Sequence, residues 1–240
     1  MMYYQIFSFF TLFLIGTLLY TKSLAGHIQN RIRYALVFIL LGSESFYQFI
    51  MIFTPGYFAK SNYDVTFDLP LHLCSILLVL SSLALLFHWD RLLEILILPL
   101  VGGPMLALLF PFTPEGSPSI RILYYFEYHV LLITVAFFSV WTIRLKLSKD
   151  TLAWSSLFVF GVGLLSLWYN PLTGGNYMFT EKMIIFPSWF INYPLLYYIS
   201  ITGAFILVMA LVLFLFLWSI KLSSIRDTYK NEKTEMLKGS

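Results

Sequence analysis

Residues 68–87 read DLPLHLCSILLVLSSLALLF, and this stretch decides the fold. After Asp68, His72 and Cys74 it carries no further titratable group. It has the ~20 residues that a helix needs to cross a bilayer. Titratable side chains are costly in such a span and mark a functional site by default.

Six further apolar segments flank it: residues 3–20, 34–53, 92–110, 122–143, 152–169 and 193–220. The chain is 59% hydrophobic and only 11% charged, against roughly 25% charged in a soluble domain. One core cannot hide that much apolar surface. Lipid leaves exposed backbone groups unsatisfied, so closed helices are the expected spanning form. The runs lack the alternation of an outer-membrane barrel. The pattern predicts an all-α integral membrane protein, a bundle of seven transmembrane helices. Residues 1–220 form one transmembrane domain, and residues 221–240 form a polar cytoplasmic tail, a frayed helix or disordered end.

The basic residues orient the bundle. Of the 15 Lys and Arg residues, twelve fall on the side that carries Arg31, Arg33, Arg91, Arg144 and the tail. Only Lys60, Arg121 and Lys182 fall on the other. The N-terminus is therefore expected outside and the C-terminus in the cytoplasm, in a multi-pass protein of the cell membrane. Ser23-Leu24-Ala25 resembles a cleavage site, but no basic region precedes the first span, so that span is expected to be retained. The fourth span holds Gly102-Gly103-Pro104, a kink or close-packing point.

In this orientation the polar residues share the outer half of the membrane. They are Asp68, His72 and Cys74 in the third span, His129 and Glu127 in the fifth, and Glu44 and Gln48 in the second. Asn176 and Tyr177 lie in the external loop before the last span. As a helix, the third span puts Asp68 and His72 on one face, where Asp68 orients His72 or caps the helix start. His72 and Cys74 fall about 200° apart, so a base for the thiol must come from another helix, and His129 is the candidate. Each residue also has a plainer reading. Cys74 can be a small buried hydrophobe, His72 and Glu44 interhelical hydrogen-bonding struts. A lone cysteine excludes a disulfide and CxxC-type metal sites, and no HExxH-type spacing is present. No metal and no cofactor are expected. Nothing resembles a P-loop, a dinucleotide fingerprint or a nucleic-acid patch.

The ordered set LPLHLC (69–74), Thr113-Pro114 after a glycine-bearing helix, a His inside the fifth span, and GGNYMF (174–179) resembles YwaF-like bacterial integral membrane proteins. The resemblance covers residues 70–198. That family is distantly similar to the transmembrane-protein-164 acyltransferases and to the androgen-induced-gene hydrolases of fatty-acid esters. The resemblance implies a helical membrane fold with a nucleophile and a histidine on separate helices, which fall on Cys74 and His129. The chain departs from the pattern at Ser75, where an acidic residue is expected, at Val130 in place of Gly and at Met183 in place of Pro.

Two functions follow. One is lipid acyl transfer or ester hydrolysis, with Cys74 as nucleophile, His129 as base, and His72 or Asn176 as oxyanion donor. The other is a non-enzymatic transporter or accessory membrane protein that uses a Glu/His polar pocket. The expected partners are membrane lipids, as substrate in the first case. No nucleic acid or partner protein is expected.

Overall fold

Leu69 precedes a proline, which disfavours the α conformation at that residue. The backbone instead makes a tight turn, with the Leu71 N–H donating to the Leu69 carbonyl at 2.7 Å. His72 is extended (φ −67°, ψ 150°), and only after it does a helix begin, at Leu73. The expectation that Asp68 and His72 share a helix face, and that Asp68 caps it, is corrected: both precede the helix, and His72 occupies the cap position.

The structure, a computed structural model, describes residues 2–21, 24–53, 63, 66–113, 117, 119–180 and 193–238. Ser23, Lys60, Pro114, Lys182 and Met183 lie outside them. The helices are α1 (Met2–Thr21), α2 (Gly26–Phe53), α3 (Leu73–Leu86), α4 (Asp90–Leu96), α5 (Pro99–Leu109), α6 (Ser119–Phe137), α7 (Lys149–Thr173) and α8 (Pro194–Lys238). A wider turn continues α6 through Phe138–Ile143. Among the described residues there is no strand.

Among the described residues, six helical stretches are long and apolar enough to cross a membrane, α4 and α5 together forming one of them. The seventh expected span, α3, has only 14 helical residues, about 21 Å of rise. The break between α4 and α5 falls at Pro99, which has no N–H to donate to the preceding turn. α8 runs on through the expected tail to Lys238. α7 begins with a reciprocal cap: Ser148 Oγ accepts from the Asp150 N–H, and Thr151 Oγ1 accepts from the Ser148 N–H.

α3 is the inner helix. It packs against α2, α4, α5 and α6 and buries Leu77, Leu78, Ala84 and Leu85 completely. α6 also packs on α1 and α5, and α8 packs on α5 and α7. A β-carbon at Gly102 would stand 3.5 Å from Phe205 and Val208, ordinary contact, so the Gly-Gly-Pro segment packs on α8 at a distance that does not require glycine. Phe13, Phe38 and Leu207 are among many exposed apolar side chains. Soluble monomers rarely carry so much contiguous apolar exterior.

α2 begins well before the expected second span, so Arg33 lies within it rather than in a loop. Arg33 is buried and donates to His88 Nδ1 at 3.0 Å and to Asp90 Oδ1 at 3.2 Å. This ties α2 to the turn after α3.

Candidate functional site

A cavity of about 450 Å³ lies among α2, α3, α5, α6, α7 and α8. Of the nine residues singled out in the sequence, six line it: Glu44, Gln48, Asp68, His72, Cys74 and His129. Glu127, Asn176 and Tyr177 do not.

Helical periodicity explains the selection on α6. Arg121, Tyr124, Tyr125, Tyr128 and His129 follow the i, i+3, i+4, i+7, i+8 stripe of one face, and all five line the cavity. Glu127 sits between them in sequence but points away and is exposed. The same spacing on α2 brings Glu44, Tyr47 and Gln48 to the cavity.

Asp68 turns to Arg121, a residue that in the sequence counts only towards the distribution of charge. Arg121 Nη2 donates to Asp68 Oδ2 at 2.6 Å, with both side chains buried. The Tyr47 hydroxyl donates to Asp68 Oδ1 at 2.9 Å and accepts from Arg121 Nε at 3.2 Å. The Phe67 ring lies 5.5 Å from the guanidinium, in range of a cation–π contact. Burial, and then the Asp68 and Glu44 carboxylates, push the nearby Tyr63 phenol above its ordinary range.

Glu44 is the acceptor for two donors. Gln48 Nε2 donates to Oε1 at 2.8 Å, and the Tyr124 hydroxyl donates to Oε2. Gln48 also donates to the Asp68 carbonyl at 3.1 Å. Tyr124 stacks between Tyr47 and Tyr128, at 4.2 and 5.0 Å between ring centroids. A hydrogen-bonded and stacked array thus runs from Asp68 towards His129.

His129 is buried. Its Nδ1 lies 2.5 Å from the Tyr125 carbonyl. A carbonyl only accepts, so Nδ1 carries the proton and Nε2 carries the lone pair. The Tyr128 and Tyr125 rings pack on the imidazole at 4.0 and 4.4 Å. The Cys74 sulfur lies beside α5, 3.6 Å from where a Gly103 β-carbon would stand. Cys74 is a free thiol. His72 precedes the helix, so the helical separation expected between it and Cys74 does not apply, and both line one cavity. His72 Nε2 is buried and has no hydrogen-bond partner among the described residues, and its ring packs on Tyr177 at 4.7 Å and Phe67 at 5.6 Å.

Tyr177 is fully buried behind His72. The short turn Tyr177–Phe179 is held by Asn170, a buried residue on α7. Asn170 Nδ2 donates to the Tyr177 carbonyl at 3.0 Å, and Oδ1 accepts from the Tyr177 N–H at 2.9 Å. Met178 and Phe179 both take left-handed conformations, φ 60° and 54°, which cost about 1–3 kcal/mol each in a non-glycine residue. Asn176 precedes this turn and accepts the Phe179 N–H on its carbonyl at 3.1 Å. Among the described residues, no three His, Cys, Asp or Glu side chains are grouped to hold a metal ion.

The sequence profile of the TMEM164 family matches residues 1–222, from α1 through the apolar part of α8. No curated protein and no solved structure matches the chain. With six long apolar helices, the match makes this a multi-pass membrane protein. The chain belongs to the TMEM164 family.

Proposed function

We propose that the chain is a membrane-embedded enzyme of lipid acyl transfer or ester hydrolysis, with Cys74 as nucleophile and His129 as base. One observation carries the reading. Cys74 and His129 come from different helices to one cavity, and the His129 tautomer keeps Nε2 as the basic nitrogen. The Cys74 proton passes to Nε2 as the sulfur bonds to the ester carbonyl carbon. The tetrahedral intermediate collapses, the C–O bond breaks, and the leaving oxygen takes the proton from His129. Water or an acceptor hydroxyl then gives its proton to Nε2 and attacks the thioester carbon; the C–S bond breaks, and the Cys74 sulfur takes the proton back from His129. His72 Nε2, which lines the same cavity and has no partner among the described residues, is the better placed oxyanion donor of the two considered. Asn176 lies off the cavity lining.

Membrane lipids are the proposed substrates, at the cell membrane. The N-terminus is proposed outside on the distribution of basic residues, which opens the cavity zone towards the outer leaflet. Kinship with the YwaF-like proteins and with the fatty-acid ester hydrolases belongs to the same proposal.

A second reading, a non-enzymatic transporter or accessory protein, is supported by a different observation. The Cys74 sulfur makes no hydrogen bond among the described residues, whereas the Glu44, Tyr124 and Gln48 array is fully engaged. A lipid-like acyl-thioester probe separates the two. The enzyme reading expects acylation at Cys74, mapped by mass spectrometry and lost in His129→Ala. A folded protein whose Cys74 stays unlabelled overturns it and leaves the transporter reading.

A further inference from the structure

We infer that the apolar wall of the cavity, formed by α5, α7 and α8, is an acyl-chain site whose depth is set by Val208 on α8 and Val159 on α7. The inference rests on the proposed acyl chemistry for its substrate class, but the site itself is argued from shape and polarity. Among the described residues, the cavity's charged side chains, Glu44, Asp68 and Arg121, lie on or beside α2 and α6, and none lines the opposite wall. Two tyrosines on that wall donate their hydroxyls to backbone carbonyls, Tyr197 to Phe179 and Tyr198 to Phe160, and Thr202 is the other polar side chain of α8 on the lining. Water held along it would find few of the two to four polar partners it needs, whereas a hydrocarbon chain needs none.

The wall adjoins the thiol. The Cys74 sulfur and the Phe205 ring lie 3.6 and 3.7 Å from one point, the place of a Gly103 β-carbon. From Tyr197 to Val208 the lining follows α8 over a rise of about 16 Å, at 1.5 Å per residue. Val208 is the last lining residue along α8 and Val159 the first along α7, so each stands furthest along its helix from the connection between the two. They form the floor against which a chain end stops. A larger side chain at this floor shortens the site, and a smaller one deepens it.

The test uses full-length Cys74→Ala protein in nanodiscs, which removes the chemistry, and a pyrene-labelled fatty acid displaced by saturated fatty acids of graded length. The same background carries Val208→Trp, Val208→Ala and Val159→Ala. Each methylene excluded from or admitted to the site is expected to change affinity about fourfold, the equivalent of about 0.8 kcal/mol. Val208→Trp is expected to move the preferred length down, and the two alanine variants up. Because the alanine variants act in the opposite direction, poor folding of the tryptophan variant leaves the inference exposed to failure. Unchanged length preference in both alanine variants overturns it. Separately, acylation is followed in proteins that retain Cys74. Length preference that shifts while Cys74 never acylates upholds the chain site and sinks the enzyme reading. Acylation at Cys74 with one length profile in every variant upholds the enzyme reading and overturns the chain site.

Discussion

Arg121 and Asp68 approach to 2.6 Å with both side chains withdrawn from solvent, and the pair joins the first turn of α6 to the non-helical lead into α3. Charges in such a place hold each other: a buried partner left alone costs about 3–5 kcal/mol. Asp68→Ala is therefore expected to lower the unfolding midpoint of the detergent-purified protein sharply. The double change Asp68→Leu with Arg121→Met removes both charges and is expected to recover much of the loss. Equal midpoints for the single and double variants would show that the pair contributes no coupling.

Asn170 makes a second, uncharged clamp. Asn170→Leu keeps bulk on α7 but strips the partner from the Tyr177 N–H and carbonyl. An orphaned buried group costs about 1–3 kcal/mol, and this turn already holds two left-handed residues. Amide exchange at Tyr177 and Phe179 is expected to accelerate more than exchange in α3. Acceleration spread evenly over the molecule would contradict a local clamp.

Two glycines should respond oppositely to alanine. At Gly163 a β-carbon would fall 2.7 Å from the Tyr198 ring, so Tyr198 must shift and its bond to the Phe160 carbonyl is disturbed. Gly163→Ala is expected to destabilise by about 1–3 kcal/mol. At Gly102 the nearest neighbour lies at 3.5 Å, ordinary contact, and alanine is the better helix former by about 1 kcal/mol. Gly102→Ala is expected to be neutral or stabilising. Parallel thermal melts of the two variants check the contrast.

At the other end of α3, Arg33 serves two acceptors at once, His88 Nδ1 and Asp90 Oδ1. Lysine has one nitrogen on a flexible stem and cannot reproduce the fork. Arg33→Lys is expected to lose stability almost as Arg33→Ala does. Full retention by lysine in denaturant titrations would mean that charge alone matters there.

The membrane class, the helical character and the convergence of Glu44, Gln48, Asp68, His72, Cys74 and His129 were legible from hydropathy and depth. Three things were not. Arg121 read as a loop charge, because a positive residue at a span end is ordinarily a topology signal. The stripe from Arg121 to His129 was present at helical spacing and, followed through, also turns Glu127 away. The start of α3 was misplaced because a continuous apolar run hides the backbone effect of Pro70. The Asn170 clamp depends on a return of the chain after α7 that no periodicity encodes.

The lead into α3 contains little regular hydrogen bonding of its own and is suspended from its neighbours. Gln48 on α2 holds the Asp68 carbonyl, Tyr169 on α7 holds the Leu71 carbonyl at 2.8 Å, and Arg121 on α6 holds the Asp68 carboxylate. Long transmembrane helices change tilt with bilayer thickness at modest cost. Because the lead hangs from three of them, a change in their relative tilt is expected to move the backbone that carries His72 and Cys74.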